Sequence, residues 1–468
     1  FHIPNTFFVK KTDATVLPKW TGWGKLNKTY HANFKVNNKS ITNVEIDKSK
    51  RLADTNPMNN SLKKPITVYF DSKVYNQPVV DEYEVFVRPD IWYNGYDGIK
   101  TGMHFNGNFL NYKHKIDGTV WFNTGFAQNL EVENKDLKYN NMSFRVNYEN
   151  GISNINKGAS ILAGIKSLDG LQAYKFGLKQ VSENKKWNTS IHFNSLFRET
   201  DTDLNYLIYP TEWIAGMRNN YLQWNAGYYY DLFDGYASLT SNIRTSGLGS
   251  DYQYGFASLT NITQHNVAKL VINTRLFAQY GTGTMPLESS LFLAGANPEN
   301  MMNNKYERST GFIPNDYKGY SKEINHFQAG GGLNLRGFNG YGLTEKNRKG
   351  EISTAYRSQS GVSSSIEIDF NKYLPIKFNG LKHIFNMDMY VFADAGVADL
   401  YGNSDRIDFS SVKADAGIGA LLTWHNFGPF EMVNPLSIRV DFPLYVSDVP
   451  TNQNNFDFRW LIGINRTF

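Results

Sequence analysis

The sequence predicts an all-β chain: a 16-stranded antiparallel transmembrane β-barrel with a long inserted loop at 281–360 and a small N-terminal β extension. Three observations carry that expectation. From about Tyr83 to Phe468 the hydropathy alternates with period two, in segments of roughly ten residues, the length a tilted strand needs to cross a bilayer. Aromatic residues make up 15% of the chain while the whole hydrophobic set is only 41% and the mean hydropathy is −0.46. A spanning helix needs about 20 consecutive apolar residues, and runs such as Ile418 to Trp424 are far shorter; a barrel, with every second residue facing lipid, averages as polar. Finally, Asn94-Gly95, Asp97-Gly98, Asp117-Gly118, Asn150-Gly151, Asp169-Gly170 and Asp234-Gly235 supply tight-hairpin chemistry between segments.

Taken in order, residues 1–64 read as the N-terminal extension, with 34–47 forming two short strands about a polar turn. Pro57 to Pro65 is the hinge, 65–82 a linker and 83–468 the barrel. The expected strands are 83–93, 99–110, 118–127, 141–149, 158–167, 171–182, 187–198, 219–230, 235–245, 251–263 and 266–280 before the loop. After it come 361–371, 384–397, 413–424, 435–446 and 456–467, giving the even number that single-chain bacterial barrels have. The faces are explicit. Trp187, Thr189, Ile191 and Phe193 oppose Asn188, Ser190, His192 and Asn194; Leu436, Ile438, Val440 and Phe442 oppose Ser437, Arg439 and Asp441. A β-sandwich would alternate in the same way but would turn its apolar face into a core. The loop is about eighty residues rich in Gly, Asn and Tyr, and its Phe292, Met301, Met302, Phe312 and Phe338 are residues that pack against something.

The composition excludes several classes of function. The net charge of +5 is modest and the basic residues are scattered, so nucleic acid is not a partner. The chain has no cysteine, hence no disulfide, thiolate metal site or thiol nucleophile. No H-E-x-x-H or G-x-S-x-G occurs, the nine histidines are dispersed, and no Gly-Lys-Ser/Thr follows Gly330-Gly331-Gly332. The expectation is a non-catalytic chain with no metal and no cofactor. Phe1 to Thr6 has neither a basic n-region nor an apolar h-region, which reads as a mature, trimmed or partial sequence.

Leu335-Arg336-Gly337-Phe338 resembles the V-R-G-F/Y motif at the tip of the sixth extracellular loop of the surface-antigen superfamily, the BamA/TamA-like outer-membrane barrels. Phe392-Ala393-Asp394-Ala395-Gly396 fits that family's F-x-D-x-G motif on strand 13, and Glu367 sits where it carries an acidic residue on strand 12. The terminal Phe468 resembles the signal read by the barrel-assembly machinery. The resemblance implies a bacterial outer-membrane location. It also implies contact with lipid and lipopolysaccharide, the assembly machinery as a partner in biogenesis, and other outer-membrane proteins as further partners. Residues 1–80 lack the amphipathic helices of the POTRA modules that precede the family's insertases. The run Val44-Glu45-Ile46-Asp47, Arg51-Leu52-Ala53-Asp54 and Asn59-Asn60 instead resembles the last strands of the β-sandwich that follows the catalytic domain in gluzincin zinc aminopeptidases. Two functions follow: a membrane anchor or platform for a peptidase-like domain or assembly component, or alternatively an outer-membrane insertase or translocon. A diffusive porin is a third option, which a bulky inserted loop disfavours.

Physical chemistry adds one specific expectation. With Ile366 and Ile368 outward, Glu367 points inward; with Met389, Val391 and Ala393 outward, so does Asp394. Two neighbouring inward carboxylates need a cation, and Arg336 on a glycine-flanked loop supplies a fork able to serve both. Gly337 then allows the close approach, and Phe338 packs on the inner wall.

Overall fold

In the computed structural model the described residues are 1–4, 11–20, 29–35, 41–48, 54, 57–63, 65–71, 79–110, 113–129, 139–153, 155–318, 325–340, 343–347, 349–373, 384–400, 407–424, 436–449 and 453–464. The chain divides into two compact units, Phe1–Pro65 and Ile66–Phe468. In the first, the described residues hold isolated bridges, His2 with Val16 and Glu45 with Ser61, and a single 3-10 turn at Pro57–Asn59. Of the two strands expected in 34–47, only the Glu45 bridge is seen, and 36–40 lie outside the described residues. The Arg51-Leu52-Ala53 part of the peptidase-like run lies outside them too.

The second unit is built on one sheet, which among the described residues has 18 strands. They are β1 (Ile66–Phe70), β2 (Tyr83–Asn94), β3 (Gly98–Phe109), β4 (Lys113–Asn123), β5 (Met142–Gly151), β6 (Ala159–Leu168), β7 (Leu171–Val181), β8 (Trp187–Phe197) and β9 (Arg218–Leu232). Then follow β10 (Gly235–Ser246), β11 (Tyr254–Val267), β12 (Leu270–Gly283), β13 (His326–Phe327), β14 (Gly361–Asp369), β15 (Phe385–Ala398), β16 (Lys413–Trp424), β17 (Leu436–Val446) and β18 (Leu461–Ile464). From β2 to β12, and on through β14 to β18, each strand pairs antiparallel with the next. The two short additions pair in parallel at the ends of this run: β1 lies on β2, Ile66 opposite Tyr83, and β13 lies on β18, His326 opposite Leu461. Among the described residues no ladder joins β2 to β18.

Several expectations change. The segment read as linker contributes β1. Asp117-Gly118 is not a turn but the middle of β4, because Asp117 pairs with Asn106 and with Asn147 on its two sides. Asn150-Gly151 likewise ends β5 instead of turning it. Of the twelve residues expected in the last strand, the described ones form strand only at Leu461–Ile464; Phe456 makes an isolated bridge to Tyr445, and residues 465–468, Phe468 included, lie outside the described residues. Asp169-Gly170 does turn the chain: both residues have positive φ, 52° and 72°, the geometry of a two-residue type I′ hairpin between Leu168 and Leu171.

The two faces of the sheet decide its environment. On β8 and β9 the apolar residues are the open ones, with Ile191 43%, Phe193 37%, Leu222 41% and Trp224 39% exposed, whereas His192 and Asn194 are 7% and 8% exposed. A soluble sandwich would show the reverse. The polar inner face is covered by the connection between β12 and β14, which carries a short helix at Pro298–Met301 and two small two-stranded pairings, Leu291–Phe292 with Arg357–Ser358 and Thr344–Lys346 with Ile352–Thr354. Its apolar residues join buried clusters with the sheet: Leu291, Leu293, Leu333, Leu335 and Phe338 pack on Phe277, Ala398 and Val446, and Met302 packs with Leu171, Leu196 and Trp213. Among the described residues no helix is long and apolar enough to cross a membrane.

Candidate functional site

The chain from Gly330 to Phe338 is bent sharply: Gly332 and Asn334 have φ of 58° and 60°. It is tied to the earlier part of the loop by Leu333 N–H donating to the Phe292 carbonyl (3.1 Å) and Leu335 N–H to that of Leu293 (3.0 Å). Arg275 of β12 donates to the Gly332 carbonyl at 2.8 Å. The following turn, Arg336–Phe338, is a single 3-10 turn with all three residues buried.

That turn sets the Arg336 guanidinium among inward side chains of four strands. Its Nε and Nη2 donate to the two oxygens of Asp394 at 2.7 and 2.8 Å, a bidentate fork, and Nη1 donates to Glu367 at 2.5 Å. Asp441 lies 3.5 Å from Nη1. The plane of the fork stacks on the Phe392 ring, 3.8 Å to its centroid. The two motif strands supply this in register: Glu367 on β14 pairs with Phe392 on β15, and Asp394 sits two residues further along. Gly396 brings β15 against β14, where an added Cβ would lie 2.8 Å from the Val362 carbonyl. Gly337 is required by contact. A Cβ there would stand 2.5 Å from Cβ of Asp415 and 2.8 Å from Cγ2 of Val446. Leu335 and Phe338 flank the arginine in the apolar cluster on the inner wall.

Three further charged residues complete the cluster and were not singled out from sequence: Asp415, Arg439 and Asp441. Arg439 pairs with Glu367 from the other side and stacks over Tyr390, whose hydroxyl donates to Asp441 at 2.5 Å. Their signal was present in the period-two pattern, which puts Arg439 and Asp441 on the polar face of β17 and Asp415 on that of β16. Three carboxylates thus meet two guanidiniums away from water, while the Asp415 carboxyl packs beside Gly337. Burial works against a charge on Arg336, but Asp394, Asp441 and Glu367 outweigh it and hold its pKa well above the ordinary value.

The loop has other anchors of the same kind. Glu299 takes a bidentate pair from Arg244 of β10 (2.6 and 3.0 Å), Arg308 reaches Asp169 at the β6–β7 turn (2.6 Å), Arg357 pairs with Glu212, and Glu345 with Lys413. Beside the Glu299 anchor, Glu288 is buried and held by Asn219 Nδ2 at 3.0 Å; its burial pushes the carboxyl up to about 7 against that hydrogen bond.

No protein-family model matches the chain. No curated protein matches it. Solved structures do. The chain is similar to BamA from Haemophilus ducreyi lacking POTRA domains 1–3, at 12% identity and a TM-score of 0.34 over 81% of this chain and 71% of that one. It is also similar to a BenF-like porin from Pseudomonas fluorescens Pf-5, at 10% identity and a TM-score of 0.36 over 77% and 75%. A third is OccK2 from Pseudomonas aeruginosa, solved in complex with glucuronate, at 10% and 0.35 over 76% and 80%.

Two measurements test this geometry. Arg336→Lys is expected to destabilise the folded protein by about 2 kcal/mol or more, because a point charge cannot serve Asp394 and Glu367 with a fork's geometry, and Gly337→Val to destabilise it at least as much by displacing the turn from Asp415. Thermal unfolding followed by gel mobility reads both; variants that melt with the parent would refute the fit. For Glu288, the folded pKa of about 7 exceeds the unfolded value of 4.5, so the folded state binds the extra proton and stability should fall as pH rises from about 4.5 to 7. Glu288→Gln should flatten that slope in unfolding curves recorded across this window.

Proposed function

We propose that the chain is a 16-stranded outer-membrane β-barrel of the BamA/TamA-like surface-antigen type, plugged by its own β12–β14 loop, acting as a membrane anchor or platform for a peptidase-like domain or assembly component. The observation that carries the membrane part is the inverted sheet: apolar side chains of β8 to β10 stand exposed while His192, Asn194 and Arg244 are buried behind them. Only a lipid surround makes that arrangement favourable. A bacterial outer membrane is the place where such sheets are closed into barrels, and there lipid and lipopolysaccharide would meet the outer face, with the barrel-assembly machinery as the partner in biogenesis. The superfamily reading rests on the loop arginine held by an inward Glu and Asp on consecutive strands. The chain itself is read as non-catalytic, and a zinc metallopeptidase is proposed only for a longer parent protein. That part rests on the short run 44–60 alone.

The anchor reading is favoured over an open pore because the loop is fastened at five places by ion pairs. It is favoured over a lateral gate because both ends of the antiparallel run are occupied, β2 by β1 and β18 by β13. Insertase or translocon activity is the second reading, supported by the short ladder between β17 and β18, four positions among the described residues.

Leu222→Arg on the exposed face should cost about 2–4 kcal/mol of folding stability in lipid bilayers, if Leu222 lies near the bilayer midplane, and little in denaturant-matched detergent, and brominated lipid should quench Trp224 and Trp187. Unchanged stability with no quenching would sink the membrane assignment. For the choice of function, proteoliposomes carrying the protein are given an unfolded outer-membrane protein and its folding rate is compared with that in empty liposomes. Equal rates are expected; an acceleration would favour the insertase.

A further inference from the structure

Between the inner face of β2 to β5 and the loop lies a cavity of about 580 Å³, and it adjoins a second of about 330 Å³ on β5 to β10; Arg145, Asn300 and Asn303 line both. The charged lining of the first is Arg88, Arg145, Lys305 and Arg308 against Asp90 alone, and that of the second adds Lys166, Lys175 and Arg244 against Glu299 alone. Some of these cations are already answered: Arg88 by Asp71 at 2.6 Å, Arg308 by Asp169 and Arg244 by Glu299. Others are not. Among the described residues Lys166, Lys175 and Lys305 make no ion pair, and Arg145 comes no nearer than 4.0 Å to Asp117. Lys305, which lines the first cavity, has its ammonium over the faces of Trp92 and Tyr306, 4.7 and 5.0 Å from their centroids.

A second, independent observation has the same sign. The buried side-chain atoms of the lining that lack a hydrogen-bond partner are all nitrogens: Trp92 Nε1, Arg145 Nε, Arg244 Nε and Asn194 Nδ2, all four donors, and the Nδ1 of His192, which is donor or acceptor according to its tautomer. None is an oxygen. Orphaned donors beside uncompensated cations define the complement they need, a group rich in acceptor oxygens and carrying more than one negative charge.

We propose that these joined cavities are a binding site for a soluble multivalent oxyanion, of the polyphosphate or polycarboxylate class, held chiefly by Arg145 and Lys305 with Lys166 at its far end. The site is separate from the Arg336 cluster, whose residues line neither cavity. Its chemistry does not depend on whether the barrel is an anchor or an insertase.

The test uses the purified full chain in detergent micelles, titrated with tripolyphosphate and, separately, with citrate, and followed by calorimetry and tryptophan fluorescence. Saturable binding of one or both is expected, weakened about tenfold or more by Lys305→Gln combined with Arg145→Gln and weakened by raising the salt from about 0.05 to 0.5 M. Gel mobility of the heated and unheated variant checks that it is folded, and Lys305→Gln alone serves if the double variant is not. Binding of tripolyphosphate alone assigns a phosphate-bearing ligand; binding of citrate alone assigns a polycarboxylate. Failure of both anions to bind, or binding that the folded variants leave unchanged, overturns the proposal.

Discussion

A sheet that turns its apolar side chains outward must do something with the polar ones that face in, and here the inserted loop answers several of them. Desolvating an isolated charge costs several kcal/mol, so the buried Glu367, Asp394 and Asp441 are tolerable only with cations delivered to them. Arg336 is delivered from the loop and Arg439 from β17, and the carboxylates in turn fix where the loop can lie. The remaining anchors extend the same logic round the inner face: loop glutamates Glu299 and Glu345 meet sheet cations, and loop arginines Arg308 and Arg357 meet carboxylates of the β6–β7 and β8–β9 connections. Anchors of both signs thus tie the loop to its surroundings at separate places.

Much of this was readable from period two alone. Strand positions depend on alternation, and alternation also tells which side chains face in, so Glu367 and Asp394 could be placed as inward neighbours before any coordinates. Where the reading failed, a local signal was competing with a non-local one. Asp117-Gly118 has turn chemistry, but the ladders to β3 and β5 on either side outweigh it. The alternation of 456–460 promised a long last strand, but among the described residues the ladder to β17 covers only Leu461–Ile464, and Phe456 is joined to Tyr445 by an isolated bridge. The strand Ile66–Phe70 was hidden because a lone five-residue run with exposed Ile66, Val68 and Phe70 says nothing of the edge it will join.

Of the cluster residues missed at first, Arg439 and Asp441 were placed on the correct face but not linked to Arg336, and Asp415 was given no face. Their meeting depends on sheet curvature and on how deeply the loop descends, neither of which is written in a linear pattern. Gly337 shows the limit well. Its need for glycine comes from Asp415 and Val446, residues 78 and 109 positions away, and not from its backbone conformation. The short helix and paired strands within the loop likewise form because the inner face supplies their cores.

The fork between Arg336 and Asp394 implies an energetic coupling across the loop and the sheet. A double-mutant cycle on unfolding in bilayers, with Arg336→Ala, Asp394→Ala and the pair together, measures it directly. The geometry predicts a coupling of about 2–5 kcal/mol, with the double variant more stable than the sum of the single losses allows. Additivity within about 0.5 kcal/mol would mean that the two groups do not depend on each other, and would contradict the account.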